Sequence, residues 1–238
     1  MINFTLQFKI MTDLPGLAIK EFYEGRTKSK LFVHDEFGPK VEMPISAYFR
    51  NEIEMPELEV LALDQCQGKV LDIGAGAGAH ALALQVRGHE VSALEISPAA
   101  CNVMKHRGVN NVICEDFFEF ETVEKFDTIL LLMNGIGLCG TLDQLEIFLK
   151  KAENLLADNG KLIFDSSDVI YMYEDDLLPE RYYGEIKCSY SYKDIKTETF
   201  QWLYIDEEKL QDICEKLGWK MTHLFEDNHY HYLVELKK

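Results

Sequence analysis

Three glycines stand at alternate positions, Gly74, Gly76 and Gly78, directly after the short apolar run 70–73. Glycine tolerates positive φ and, because it has no side chain, lets a ligand approach the main chain closely. A glycine turn between a buried strand and a helix is typical of α/β proteins that bind an adenosine-containing ligand beyond the carboxyl ends of their strands. The alternative is a tight turn whose glycines serve packing alone.

The next predicted strand ends close to an acidic residue, Glu95. Its two carboxylate oxygens can accept hydrogen bonds from the 2′- and 3′-hydroxyls of a ribose. The spacing Gly74-x-Gly76-x-x-Ala79 also fits a dinucleotide fingerprint. The glycines and Glu95 therefore leave open whether the ligand is a nicotinamide dinucleotide or another adenosine derivative.

Three further features favour S-adenosylmethionine (SAM) over a dinucleotide. Asp72 precedes the first glycine, and its carboxylate can face the cationic sulfonium and amine of SAM but would repel a pyrophosphate. Asp116 and Phe117 follow the third predicted strand, so the carboxylate can accept from the adenine amino group while the ring lies on the base. The third feature is a sheet pattern that ends in an antiparallel hairpin after a sixth strand.

Together these segments resemble the class I SAM-dependent methyltransferases over roughly residues 68–238. The most specific part is 70–78, which is similar to the first motif of that family. Glu95 matches its ribose-binding acid, and 126–135 resembles the fourth-strand motif, whose end lies close to the transferred methyl group. The resemblance implies a cofactor site made of Asp72, Gly74, Ala75, Gly76, Gly78, Glu95, Ile96, Asp116, Phe117, Met133 and Asn134.

The residues after the fourth predicted strand depart from two branches of this family. The segment 133–137 replaces the Asn/Asp-Pro-Pro-aromatic tetrad of amino-group methyltransferases of DNA, and no Pro-Cys nucleophile follows it. Cys139 lies nearby but has no supporting motif. Both departures disfavour methylation of a nucleic-acid base.

The sequence does not identify a catalytic residue. Methyl transfer from a sulfonium is an in-line displacement, so alignment and the exclusion of water matter most and a general base is optional. The candidate bases are His34, His80, His223, His229 and His231. His80 follows the glycine turn and could lie near the cofactor or serve packing. His229 and His231 share a strand face near Asp227 but lack a known metal-ligand spacing, so we expect exposed edge-strand histidines and no metal.

Strands alternate with helices from residue 69 onward, and these elements must position the site. Buried strands are predicted at 69–73, 90–96, 111–114, 126–133 and 161–165. Connections of this length imply right-handed crossovers and a mostly parallel, doubly wound α/β sheet. Two more strands, 219–225 and 230–236, complete a seven-stranded sheet whose last strand is antiparallel.

The rest of the chain is predicted to form an N-terminal helical extension or lid, residues 1–66, before a SAM-binding domain, residues 67–238. Alternating residues predict an antiparallel hairpin at about 184–204, inserted after the fifth strand. Many aromatic residues lie in or before it: Tyr171, Tyr173, Tyr182, Tyr183, Tyr190, Tyr192, Phe200, Trp202 and Tyr204. These rings either line a pocket for an apolar or aromatic acceptor or pack the hairpin onto the sheet. In the extension, Tyr48 and Arg50 are candidates to reach the methionine carboxylate of SAM.

The net charge of the chain limits the kinds of partner that it is expected to bind. The chain has 238 residues, with 24 Lys and Arg against 41 Asp and Glu, which gives a net charge of −17. A field of this sign disfavours nucleic acids and anionic membrane surfaces. The six cysteines include no C-x-x-C pair. The sequence shows no evident secretory signal and no apolar run long enough to span a membrane. These features predict a cytoplasmic protein with reduced thiols.

The sequence therefore predicts a SAM-dependent methyltransferase that acts on a small-molecule acceptor. Two alternatives remain open, a non-catalytic SAM-binding or protein-interaction module on the same fold and an NAD-dependent oxidoreductase. Neither the acceptor nor the oligomeric state is predicted.

Overall fold

The computed structural model describes residues 13–26, 28–173 and 178–238. Its α-helices are α1 (Leu14–Tyr23), α2 (Glu57–Gln65), α3 (Ala79–Val86), α4 (Pro98–Arg107), α5 (Leu142–Leu155) and α6 (Glu207–Leu217). Its strands are β1 (Leu31–His34), β2 (Val41–Met43), β3 (Lys69–Ile73), β4 (Glu90–Glu95), β5 (Asn111–Cys114), β6 (Phe126–Leu131), β7 (Leu156–Ser167), β8 (Glu185–Tyr192), β9 (Ile195–Lys196), β10 (Phe200–Leu203), β11 (Lys220–Glu226) and β12 (His231–Lys237). Short 3₁₀ helices span Ile45–Phe49, Glu52–Glu54, Gly135–Cys139 and Ile170–Met172.

A seven-stranded sheet in the order β5-β4-β3-β6-β7-β12-β11 forms the centre of the molecule. Neighbours from β5 to β7 pair in parallel, whereas β12 runs antiparallel to both β7 and β11. The predicted doubly wound sheet with a reversed last strand is thus confirmed. The chain winds outward from β3 in both directions, and ligands bind in the crevice at such a switch point.

Side chains of the central strands pack alternately on the two faces of this sheet. In β6, Ile129 and Leu131 join the apolar cluster beneath α5 and α6. Leu130 between them joins the cluster beneath α2, α3 and α4. All three are fully buried, which stabilises the fold by about 1.5–3 kcal/mol for each side chain. Burial on both faces explains why the sequence of this strand is an unbroken apolar run.

Polar caps determine where the helix beside the cavity begins. The hydroxyl of Ser97 accepts a hydrogen bond from the amide of Ala100 at 3.0 Å, and Pro98 is the first helical residue of α4. The helix ends at Arg107 and is capped by Gly108, which has φ of 96°. This arrangement agrees with the sequence pattern and fixes Ser97 at the carboxyl end of β4.

The fourth parallel strand is shorter than the sequence predicts. β6 ends at Leu131 instead of residue 133, and the chain turns through Met133 and Asn134, whose φ values are 62° and 55°. Two consecutive non-glycine residues in the left-handed region store strain that surrounding contacts must hold. The amide of Asn134 donates to Oδ2 of Asp165, at the end of β7, over 2.9 Å.

A second sheet, in the order β10-β8-β1-β2 with β9 also paired to β8, lies over the first. The predicted hairpin forms β8 to β10, with Lys193 in the left-handed region at its turn. In addition to α1 and α2, the extension contributes β1 and β2, and β1 pairs with the free edge of β8. Pairing satisfies the main-chain groups that an edge strand would otherwise expose. We call α1 and this sheet the cap.

Helix α1 is tied both to the larger sheet and to the cap sheet. Asp13 caps α1 and accepts a hydrogen bond from the hydroxyl of Ser97 at 2.6 Å. At the other end, Glu21 accepts from the hydroxyl of Tyr192 and from the ammonium of Lys193, at 2.8 and 2.7 Å.

Within the described residues, no helix is long and apolar enough to cross a bilayer.

Candidate functional site

A cavity of about 420 Å³ lies at the carboxyl ends of β3, β4 and β6, between the larger sheet and the cap. Its volume is within the range of small-ligand sites. The predicted cofactor residues that line it are Asp72, Gly74, Ala75, Gly76, Glu95, Ile96, Asp116, Phe117 and Met133. Gly78 and Asn134 do not line it.

The glycines of the turn after β3 divide into two roles. Gly74, Gly76 and Gly78 all have positive φ, of 72°, 56° and 82°. A Cβ at Gly76 would lie 2.8 Å from the ring of Tyr48, which also lines the cavity. A Cβ at Gly78 would instead meet Val109 at the same distance. Gly76 therefore lets the ring of Tyr48 pack against the turn inside the cavity, whereas Gly78 permits packing at the start of α3.

Glu95 is held by the main chain on both carboxylate oxygens. Oε2 accepts from the amide of Gly76 at 2.8 Å and Oε1 from the amide of Ser97 at 2.9 Å. Burial raises the pKa of Glu95 to about 7, although these two amides lower it. A carboxylate has about four lone-pair sites, so two remain for hydroxyl donors from a ligand.

Asp72 provides a negative group at the floor of the cavity. Its side chain is 2% exposed, and Oδ2 has no hydrogen-bond partner among the described residues. Burial raises the pKa of Asp72 to about 6, with nearby His80 acting in the opposite direction. A buried carboxylate oxygen without a partner can receive a cationic donor from a ligand.

His80 also lines the cavity and belongs to a buried ion-pair chain. Its Nε2 lies 2.8 Å from Glu59, and the other oxygen of Glu59 accepts from Arg50 at 2.6 Å. Burial alone would lower the pKa of His80, but Glu59 and Asp72 outweigh it and raise that pKa. His80 therefore retains its proton more readily than an ordinary histidine and is poorly suited to act as a general base. Arg50 is engaged by Glu59 and does not line the cavity.

The side of the cavity near β4 and β5 is partly apolar. Ile96 is exposed there, and Phe117 is buried against Phe148, with ring centroids 4.6 Å apart. Oδ1 of Asp116 accepts from the amide of Phe118 at 2.8 Å. The other oxygen of Asp116 can accept from a ligand, and the neighbouring apolar side chains suit a planar base.

The turn at Met133 and Asn134 is held from behind by a network that sequence reasoning missed. Nε2 of His231 lies 2.5 Å from Oδ2 of Asp165, and the same oxygen accepts a hydrogen bond from the amide of Asn134. The hydroxyl of Ser167 donates to the side chain of Asn134 at 3.2 Å. His231 is therefore half-buried and paired, unlike the exposed His229. Only the pairing of β12 with β7 brings His231 to Asp165, so no local pattern could reveal it. The described residues contain no cluster of three or more His, Cys, Asp or Glu suited to a metal.

The cap supplies the opposite wall of the cavity. Of the nine aromatic residues in and before the hairpin, Tyr190 and Trp202 line the cavity. Others pack the cap, as Phe200 does against Tyr190 with ring centroids 4.9 Å apart. Two of the nine rings thus line the cavity, and the role of these two toward an acceptor stays a prediction. Lining residues that sequence reasoning missed include Pro15, Gly16, Ile19, Met43, Ser97 and Leu138.

Comparisons with known proteins agree on one family. The profile of a methyltransferase domain family matches residues 48–224. An uncharacterized methyltransferase of Staphylococcus carnosus is 27% identical over 173 residues, which is 72% of this chain and 79% of that protein. The crystal structure of a SAM-dependent methyltransferase from Bacteroides fragilis, in complex with S-adenosyl-L-homocysteine, is 41% identical with a TM-score of 0.89 and covers 95% of each chain. A SAM-dependent methyltransferase from Clostridium acetobutylicum, 14% identical with a TM-score of 0.59 over 78% of this chain and 93% of that one, shares the fold.

Proposed function

The chain belongs to the methyltransferase domain family and is a SAM-dependent methyltransferase, and on that premise we propose that it methylates a small molecule enclosed beneath the cap. The observation that carries this proposal is the cavity itself. The glycine turn forms one wall, and Ile19, Tyr190 and Trp202 of the cap help form another. An acceptor in this space must be small enough to be surrounded on both sides.

The cofactor residues fit SAM at two positions that the free protein leaves incomplete. The unpartnered Oδ2 of Asp72 is suited to the methionine ammonium. Gly74, where a Cβ would have nothing within 4 Å, lines the cavity and leaves the main chain accessible to a ligand. We assign Glu95 to the ribose hydroxyls, and Ile96, Asp116 and Phe117 to the adenine.

The chain contributes alignment and exclusion of water to the reaction. SAM supplies the electrophilic methyl group and its own leaving group. Asp72 would hold the methionine end, Glu95 the ribose, and the turn that carries Met133 would border the reacting centre. The cap covers that centre, and a dry, oriented site is what an in-line displacement requires. No residue is assigned as general base, because His80 is committed to Glu59.

The charge of the chain supports a small acceptor over a nucleic acid. The net charge of −17 repels a phosphate backbone over distances near the Debye length, about 8–10 Å at ordinary salt. We also propose a cytoplasmic location, which is supported by six free cysteines, five of them buried, as expected in a reducing compartment.

Fractionated cell extract tests the proposed acceptor size. Purified protein and SAM would be incubated separately with the low-molecular-mass, protein and nucleic-acid fractions, and S-adenosylhomocysteine (SAH) would be quantified by mass spectrometry. We expect SAH to form with the low-mass fraction. Formation only with a macromolecular fraction would contradict a small-molecule acceptor.

A further inference from the structure

One face of the cap sheet consists of apolar and aromatic side chains at every position that the strand register brings together. Leu31 pairs with Met43 on one side and Tyr192 on the other, and Val33 pairs with Tyr190. Paired residues and residues two apart share a face in an antiparallel sheet. Trp202 lies on that same face through the pairing of β10 with β8.

The opposite face of β8 differs in character. Its alternate positions are Glu185, Lys187, Ser189 and Ser191. The polar residues therefore point away from the cavity, and Met43, Tyr190 and Trp202 line it. We call the part of the cavity lined by these three residues and by Leu138 and Met133 the acceptor compartment.

The described residues place no lysine or arginine on the lining of the cavity, and its charged residues other than His80 are carboxylates. Arg50, which follows the 3₁₀ helix Ile45–Phe49, is paired with Glu59, and Arg107 of α4 donates to the carbonyls of Ala77 and Tyr48 at 2.6 and 3.2 Å. His80, also paired with Glu59, lies near Asp72 on the floor.

The phenol hydroxyls of Tyr48 and Tyr190 add no charge to the lining of the cavity. Burial raises the pKa of Tyr48 to about 12, and burial raises the pKa of Tyr190 as well. Both phenols are therefore neutral hydrogen-bond donors at physiological pH. An anionic group placed here would lose its hydration without gaining a cation from the side chains that line the acceptor compartment, which is unfavourable.

From these contacts we propose that the acceptor is a flat aromatic molecule without an anionic group, held against Trp202 and Tyr190. Aromatic rings stack on aromatic side chains with little loss of side-chain entropy, and the thioethers of Met43 and Met133 adapt to a ring edge. Carboxylated, sulfonated or phosphorylated acceptors are rejected. This inference rests on the proposed function, since it assumes that the acceptor enters beneath the cap.

An isosteric pair of probes, 2-naphthamide and 2-naphthoate, tests the charge requirement. Both would be titrated into the protein saturated with SAH, whose sulfur is neutral, so that only charges of the chain and the SAH zwitterion act on the probe. The chain has two tryptophans, Trp202 in the compartment and Trp219, which is buried elsewhere. The Trp219→Phe variant therefore leaves Trp202 as the reporter of binding by fluorescence quenching.

We expect 2-naphthamide to quench Trp202 and to bind at least about tenfold more tightly than 2-naphthoate. Equal or tighter binding of 2-naphthoate, or binding of neither probe, overturns the inference. Calorimetric titration with SAH alone distinguishes failure of the proposed acceptor class from failure of the proposed function. If SAH binds but the probes fail, only the acceptor class is wrong; if SAH does not bind to folded protein, the proposed function is wrong as well.

A charge introduced into the compartment provides an independent test. Met43 lies on the edge strand β2 and is half-buried, so a longer polar side chain can be accommodated there. Met43→Lys is expected to improve binding of 2-naphthoate about tenfold, whereas the matched neutral variant Met43→Gln is not. Trp202→Ala, which removes the fluorescent reporter and is therefore measured by calorimetric titration of the probe, should weaken binding of 2-naphthamide by about tenfold. An unchanged ratio of the two probe affinities in Met43→Lys, in a variant with unaltered melting temperature, contradicts the inference.

Discussion

At the residue scale, the buried carboxylate of Asp72 and the half-buried carboxylate of Glu95 set the electrostatics of the proposed cofactor site. Burial raises the pKa of Asp72 to about 6 and that of Glu95 to about 7. In the free protein each ionised form therefore costs stability near neutral pH. An ammonium at Asp72 and hydroxyl donors at Glu95 would stabilise the ionised forms, so cofactor binding offsets a penalty that the free protein carries.

Replacement of Glu95 by alanine should weaken binding of SAH by about 1–3 kcal/mol, because two hydrogen bonds to a charged acceptor are lost. The expected change in folding stability is small, since the amides of Gly76 and Ser97 that Glu95 accepts from lie beside a cavity that admits water. Calorimetry with SAH and thermal unfolding would measure both quantities. Glu90→Ala, at the exposed start of β4, is the control. Unchanged affinity in Glu95→Ala would exclude Glu95 as the ribose ligand.

Asp72→Asn should act in opposite directions on the free protein and on binding. The pKa of Asp72 is higher in the folded state than its ordinary value of 3.8. The cost of ionising it is therefore absent below about pH 4, grows as the pH rises, and is complete above about pH 6. We expect the variant to gain stability on the order of 1–3 kcal/mol at pH 7 and to bind SAH more weakly.

Thermal unfolding of Asp72→Asn at pH 4 and pH 7 measures this difference. The variant and the original protein should differ least at pH 4 and most at pH 7. A variant that is less stable at pH 7, or one that binds SAH as tightly as the original protein, would show that Asp72 is not held ready for a cation.

At the element scale, α1 closes the cofactor side of the cavity. Gly16 and Ile19 of this helix line the cavity, and a Cβ at Gly16 would lie 2.0 Å from the hydroxyl of Ser97. The helix thus packs directly on the start of α4, beside Glu95. Its two ends are held by Ser97 and by Tyr192 with Lys193, so α1 links the cofactor side to the cap sheet.

Asp13→Ala should destabilise α1 and weaken SAH binding together. Loss of an N-cap costs about 0.5–2 kcal/mol, and this variant also loses the hydrogen bond to Ser97. Limited proteolysis near α1 and calorimetry with SAH would report the two effects. Thr141→Ala is the matched control, because Thr141 caps α5 in the same way but does not line the cavity. Equal SAH affinity in the two variants would refute a role for α1 in closing the site.

At the scale of the whole molecule, the two sheets enclose the ligand between them, so ligand binding and folding are thermodynamically linked. A ligand that binds only the folded protein at one hundred times its dissociation constant adds about 2.7 kcal/mol to stability. The methyltransferase family membership makes SAH such a ligand, and a nicotinamide dinucleotide is the natural contrast because the glycine spacing also fits it.

The melting temperature should therefore rise by about 5–10 °C with SAH at that concentration, as expected for a domain of this size. NADH at the same concentration should leave it unchanged. Differential scanning fluorimetry measures both, and the two ligands serve as controls for one another. A comparable rise with NADH would mean that the site does not discriminate the methionine end of SAM from a pyrophosphate, against the role assigned to Asp72.

The sequence by itself determined the larger sheet and the turn after β3, and it led to the proposed roles of the acids beside that turn. These features are local: a strand buried on both faces must be apolar throughout, and the positive φ values of Gly74 and Gly76 require glycine. Asp72 and Glu95 follow from their places on adjacent strands. The family match agrees with this interpretation of the turn.

Only the tertiary structure decided how the cavity is closed and which aromatic rings face it. Leu31 pairs with Tyr192 and Met43 with Leu31, and strand register between segments so far apart depends on the whole fold. The same holds for His231, which reaches Asp165 through the pairing of β12 with β7 and so supports the turn at Met133. Short-range sequence patterns indicate the periodicity of helices and strands and the positions of turns. Contacts between distant strands arise from packing that no local pattern encodes.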